Sequence, residues 1–126
     1  MDILIIEDSP QVAGLLKTMT EKWGHTNHVA ITGEAALEQV KTRAFDLILM
    51  DVFLPDTVAY ELIPRIRQHS TTPRIISMTG NSSPDVEQKV RSQGILYYMV
   101  KPVDPAELRS ILEHLDQKQT NKNNGR

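Results

Sequence analysis

Leu47-Ile48-Leu49-Met50-Asp51 is an apolar run closed by a carboxylate. Read with Asp46 at its start, the stretch to Met50 is almost wholly apolar. A central parallel strand covered on both faces requires that pattern. Three other runs have the same form. Ile3-Leu4-Ile5-Ile6 leads to Glu7 and Asp8, Ile75-Ile76-Ser77-Met78 to Thr79, and Ile95-Leu96-Tyr97-Tyr98-Met99-Val100 to Lys101. Open parallel sheets gather their sites at the carboxyl ends of their strands. Three carboxylates, a hydroxyl and an ammonium would therefore converge on one edge, a set suited to a divalent cation and a phosphoryl group.

Between the strands the sequence reads as helices. Ser9-Pro10 is an N-cap followed by Pro at the first helical position, Val12, Leu15, Leu16, Met19 and Trp23 recur at helical spacing, and Gly24 closes the helix. His25 to Ala30 is a polar second strand suited to a sheet edge, and Thr32-Gly33 opens a helix through Ala36, Leu37 and Val40. Tyr60, Ile63 and Ile66 suggest a third helix, within which Pro64 removes a backbone bond at a cost of about 3 kcal/mol. That helix either starts late, with Pro64 in its first turn, or is kinked. Thr72-Pro73 turns the chain into strand four, Ser83-Pro84 caps a fourth helix and Gly94 stops it. Asp104-Pro105 opens a fifth, with Leu108, Ile111, Leu112 and Leu115 facing inward. The expected fold is α/β, a (βα)5 doubly wound three-layer sandwich with a five-stranded parallel sheet. Residues 1–116 form its one domain, and the apolar-free stretch 117–126 is expected to be a flexible polar tail or linker stub.

Composition narrows the function classes. The 126 residues carry a net charge of −2, which offers no electrostatic reason to expect nucleic acid or an anionic membrane as a direct partner. Cysteine is absent, which excludes thiol chemistry and thiolate metal sites. No apolar run reaches transmembrane length and no signal-peptide pattern is present, so a cytoplasmic location is expected.

Taken singly, each edge residue has an ordinary reading: Asp51 as a strand-end turn residue, Glu7-Asp8 as a solvated loop, Thr79 as a strand threonine, Lys101 as a surface lysine. Together they are specific. Ile-Ile-Glu-Asp, Leu-Ile-Leu-Met-Asp with Pro55 four residues on, Met-Thr-Gly and Val-Lys-Pro occur in order, each at a strand end. From about Asp2 to Leu115 the chain resembles the receiver domain of two-component response regulators, in its single-domain, chemotaxis-regulator-like form. The resemblance implies strand order 2-1-3-4-5 and a phosphorylation switch. Asp51 would accept a phosphoryl group from a sensor histidine kinase or histidine phosphotransfer protein and control a downstream protein or output domain. Asp8 and Asp51 would bind Mg2+ (or Mn2+) directly, Glu7 mainly through water, and the Phe53 carbonyl would complete the protein ligands. Thr79 and Lys101 would contact the phosphoryl group, and Lys101-Pro102 would be a cis peptide. Tyr98, sharing the switch with Thr79, would change rotamer, while alternation puts Tyr97 on the opposite face. Such a protein assists its own phosphoryl transfer and slow autodephosphorylation without turning over external substrates, as a monomer or a phosphorylation-dependent dimer.

The chemistry agrees with that reading. In-line attack on phosphorus spreads charge over equatorial oxygens that need positive partners, and Lys101 and Thr79 supply an ammonium and a hydroxyl donor. An oxygen-only donor set with no His or Cys points to Mg2+ or Mn2+. His25, His28, His69 and His114 show no ligand spacing and read as surface or loop residues. Two places depart from the family pattern: Val58-Ala59 replaces an Asp-Gly-like pair before helix three, and Val103 replaces a frequent aromatic; bulky Phe53 sits two positions after Asp51, a place that in this family tunes phosphoryl lifetime. Phe53 is expected to hinder the attacking water.

Two other classes compete. A haloacid-dehalogenase-type phosphatase would need a second Asp where Phe53 stands. A flavodoxin-like electron carrier would need a Ser/Thr/Gly-rich first loop, where Glu7-Asp8 would repel a phosphate. A DNA-binding regulator is an option only through a second domain.

Overall fold

A computed structural model describes residues 1–70 and 74–124, with side chains described to residue 118. Strands β1 (Asp2–Ile6), β2 (Thr26–Ala30), β3 (Leu47–Asp51), β4 (Arg74–Thr79) and β5 (Tyr97–Val100) alternate with helices α1 (Pro10–Lys22), α2 (Gly33–Thr42), α3 (Ala59–His69), α4 (Pro84–Arg91) and α5 (Pro105–Asn124). The sheet is parallel, in the order β2-β1-β3-β4-β5. This is the doubly wound (βα)5 fold expected from the sequence, in the strand order 2-1-3-4-5 that the resemblance implied.

Strand burial follows position in the sheet. Leu47, Ile48, Leu49 and Met50 are fully buried, as are Ile3 through Ile6 on the neighbouring strand. At about 1.5–3 kcal/mol for each buried aliphatic side chain, these two strands form the thermodynamic centre of the domain. One face carries Leu4, Ile6, Ile48 and Met50 against residues of α2, α3 and α4, including Leu37, Ile63 and Val90. The other carries Ile3, Ile5, Leu47 and Leu49 against residues of α1 and α5, including Leu16, Leu108 and Leu112. The polar second strand is indeed an edge strand.

The expected caps form. Ser9, Thr32 and Ser83 side chains accept the amides of Val12, Ala35 and Val86, and Asp104 accepts that of Ala106. Gly24 (φ 91°) and Gly94 (φ 76°) follow α1 and α4 in the left-handed region where glycine alone is unstrained. The four inward residues of α5 are all buried, and its backbone stays helical through Asn124, across most of the stretch expected to be a tail. The Thr72-Pro73 turn and the last two residues of the tail lie outside the described residues.

Three local expectations are corrected. Leu15 is 58% exposed, because the inward stripe of α1 runs through Val12, Leu16, Met19 and Trp23 and leaves Leu15 at its outer edge. α3 does not start late: it begins at Ala59 and holds Pro64 in its interior. Pro64 is exposed, so water can reach the Tyr60 carbonyl that loses its helical partner. His25 lies in a loop yet is buried, accepting a hydrogen bond at Nδ1 from the Met1 amine at 3.1 Å. Burial, helped by the amine's charge, lowers its pKa from the usual histidine value.

Candidate functional site

The carboxyl ends of β1, β3, β4 and β5 bring the expected residues to one edge. Glu7 continues β1 through its amide, which donates to Ala30 O at 3.0 Å. Its side chain is 1% exposed, and one carboxylate oxygen accepts the Ser9 amide at 3.1 Å. Asp8 beside it is exposed. Asp51 ends β3 as a buried residue, and its Oδ1 accepts the Phe53 amide at 3.4 Å. Carboxylate oxygens of Glu7, Asp8 and Asp51 all lie within 4.8 Å of one another.

Lys101 closes this group from the far side. Its amide donates to Thr79 O at 2.8 Å, and a cis peptide joins it to Pro102, as expected. The ammonium donates to Glu7 Oε1, and to Asp51 Oδ2 at 3.1 Å. Burial opposes the charged form, but the hydrogen bonds to Glu7 and Asp51 and their charges outweigh it, so its pKa lies above the ordinary lysine value. The stabilisation this carries is complete below the ordinary lysine range and is lost as pH rises through the elevated folded-state value.

Thr79 is fully buried one residue beyond Met78, the β4 partner of Asp51. Its hydroxyl accepts the Asn81 amide at 3.0 Å, which holds it at the start of the β4–α4 loop. Tyr98 is on the same sheet face as Val86, Val90 and Ile95, so it is the tyrosine turned toward α4. Its hydroxyl lies 2.9 Å from Ser82 Oγ, and the Arg91 guanidinium sits 5.5 Å from its ring centroid. Tyr97 faces away and is exposed. Phe53 is 39% exposed beside Asp51.

Oxygen donors of three carboxylates against one ammonium leave an excess of negative charge, and the set contains no nitrogen or sulfur ligand. That donor chemistry fits a hard divalent cation such as Mg2+. The site also lies where doubly wound sheets place their ligands, beside the reversal of strand order at β1 and β3.

The response regulator receiver domain model matches residues 3–113. The chain belongs to this family. Its receiver domain is 31% identical over 113 residues to the transcriptional regulatory protein ZraR of Escherichia coli O157:H7, a match covering 90% of this chain and 26% of that protein. The chain therefore spans about a quarter of the length of that relative. A CheY-like receiver domain structure from Methanospirillum hungatei superposes with a TM-score of 0.86 at 28% identity, covering 94% of this chain and 96% of that one. The receiver domain of the sensor histidine kinase PA1611 from Pseudomonas aeruginosa, solved with magnesium coordinated in its active-site cleft, gives 0.82 at 28% identity, with 90% and 95% covered. Receiver domains are signalling switches and not substrate-turnover enzymes.

Two features of the site lie outside what the sequence motifs reveal. Ser82 holds the Tyr98 hydroxyl, and Asp56 reaches across to the start of α2, its Oδ1 accepting the Gly33 amide at 2.8 Å. Neither pair is close in sequence, so no local spacing signals either contact.

Proposed function

We propose that this receiver domain is a phosphorylation-dependent switch of a two-component phosphorelay, with Asp51 as the phosphoacceptor. The observation that supports it most directly is the Lys101 ammonium hydrogen-bonded to both Glu7 and Asp51 at the sheet's carboxyl edge. In the transfer, an Asp51 carboxylate oxygen forms a bond to phosphorus as the phosphorus–nitrogen bond of a phosphohistidine breaks, and the imidazole leaves. Lys101 offers an ammonium to the equatorial oxygens, and the Thr79 hydroxyl turns to donate its proton to a phosphoryl oxygen. Glu7, Asp8, Asp51 and the Phe53 carbonyl would hold Mg2+, which supplies further positive charge to those oxygens.

Movement of the Thr79 hydroxyl bears on the β4–α4 loop, whose Ser82 holds Tyr98, so the readout is the surface of α4, β5 and α5. The donor is a sensor histidine kinase or histidine phosphotransfer protein. The receiver of the signal is a downstream protein or an output domain, reached from a monomer or a phosphorylation-dependent dimer. No helix among the described residues is long and apolar enough to cross a membrane, and the proposed location is the cytoplasm.

Intact mass after incubation with a small-molecule phosphodonor and Mg2+ tests this reading. One phosphoryl adduct, absent when a chelator is present during labelling, is the expected result. No adduct under conditions that label other receiver domains would refute it.

Phe53 should set the lifetime of that adduct. Its ring stands exposed two residues from Asp51, where it can crowd the line of approach of water. Phe53→Ala is expected to accelerate dephosphorylation about tenfold, within the roughly hundredfold that a small misplacement of a reacting group can cost. Decay followed by mass spectrometry measures this, and an unchanged half-life would remove Phe53 from the account.

A further inference from the structure

The chain from Val52 to Ala59 folds back on itself as a small hairpin. Val52 is tied into the sheet by its amide, which donates to Met78 O at 2.9 Å, and its carbonyl accepts the Ala59 amide at 2.8 Å. Phe53 and Val58 form an antiparallel bridge, and the Leu54 amide donates to Thr57 O at 3.0 Å. These contacts close the base and link the Phe53 backbone to the tip. The tip is held by a different element. Asp56 Oδ1 accepts the Gly33 amide at 2.8 Å and Oδ2 the Glu34 amide at 3.0 Å, so one carboxylate bridges the first two amides of α2. Arg65 of α3 pairs with Glu34 at 3.1 Å and ties the same corner from behind.

Close packing accompanies the hydrogen bonds. A Cβ placed on Gly33 would lie 2.5 Å from Thr57 Cγ2, and 3.4 Å from both Asp56 Oδ1 and Leu62 Cδ1. Gly33 therefore allows the hairpin tip to sit directly on α2. Val58, at the start of α3, offers that helix no side-chain cap. Here the loop is anchored through Asp56 to the preceding helix instead.

We infer that Asp56 is a positioning residue for the cation site: clamped to the start of α2, it fixes the hairpin that carries the Phe53 carbonyl. This rests on the reading above, in which that carbonyl is a metal ligand. Asp56 touches neither the cation nor the phosphoryl group. Its loss should let the hairpin tip move and weaken Mg2+ binding while Glu7, Asp8 and Asp51 stay in place.

The test is a Mg2+ titration of the full chain, followed by amide NMR shifts around Asp8 and Phe53, with melting temperature recorded alongside. Asp56→Ala is expected to bind Mg2+ about tenfold more weakly, the low end for an outer contact that orients a ligand. Its phosphorylation rate should return to the wild-type value at saturating Mg2+, a separation of affinity from chemistry that general destabilisation would not produce. Gly33→Ala should weaken Mg2+ similarly by pushing on Thr57, and Thr57→Ser in the same chain, which deletes the obstructing methyl, should restore it. That pair keeps the carboxylate and serves if Asp56→Ala does not fold. Wild-type affinity in Asp56→Ala, or no rescue of Gly33→Ala by Thr57→Ser, would overturn the inference alone. A wild-type protein that binds no Mg2+ would overturn it together with the metal-site reading.

Discussion

Asp51→Asn is expected to abolish the phosphoryl adduct completely while leaving the fold intact. An amide carries no anionic oxygen to attack phosphorus, and its nitrogen lone pair is delocalised into the carbonyl. Asparagine keeps the shape of the side chain at a buried position, so no cavity opens in the β3 edge. Two electrostatic effects then oppose one another. Lys101 loses one of its two carboxylate partners, held at 3.1 Å, while Glu7 and Asp8 lose a like charge within 4.8 Å. The net change in stability should stay within about 1 kcal/mol, the range of a partly solvated ion pair. Added Mg2+ should raise the melting temperature of the wild type by mass action and that of the variant much less. Parallel mass spectra and thermal melts measure both effects. An adduct of undiminished yield in the variant would move the acceptor away from Asp51.

Lys101→Met should damage both stability and chemistry, and the two can be separated. The ammonium is the partner of Glu7, whose side chain is 1% exposed. Removing one member of a buried pair leaves the other charge uncompensated, which costs about 3–5 kcal/mol in dry interiors. The Lys101 side chain is itself 19% exposed, so water can enter, and about 2–3 kcal/mol is the expected loss. Phosphorylation should slow about a hundredfold, as for loss of one preorganised donor to a developing charge. Adding Glu7→Gln removes the more deeply buried of the two stranded charges, the other being Asp51, and should recover most of the stability without recovering the rate. Urea unfolding and phosphorylation kinetics on the single and double variants decide it. A single variant as stable as the wild type would mean that the contact with Glu7 contributes little in solution.

Much of the fold was legible because strand periodicity and cap chemistry are local. Ser9, Thr32 and Ser83 cap the helices that their spacing announces, and Leu108, Ile111, Leu112 and Leu115 are all buried. Local signals also have a limit, and Leu15 marks it. An apolar residue at the margin of a helical stripe faces the core or solvent according to where the neighbouring sheet lies, which spacing cannot specify. Pro64 marks it from the other direction. Its local cost argues against a helix interior, yet Ala59, Leu62, Ile63 and Ile66 bury one face of α3 completely and outweigh one missing hydrogen bond. His25 is buried although its flanking residues Gly24 and Thr26 are exposed, because its partner is the chain's first residue.

What the sequence determined by itself was the set of residues that reach the sheet's carboxyl edge. A strand delivers its last residue to that edge whatever surrounds it, so Glu7, Asp8, Asp51, Thr79 and Lys101 could be assigned together from the ends of apolar runs. The tertiary structure decided how they meet. The Lys101 ammonium is shared between Glu7 and Asp51, Tyr98 is held by Ser82 and Arg91, and Asp56 anchors the hairpin after Asp51 to α2. Each of these joins residues on different elements, whose separation depends on how helices pack across a twisted sheet. Packing of that kind belongs to the whole core and has no signature in any short stretch of the chain.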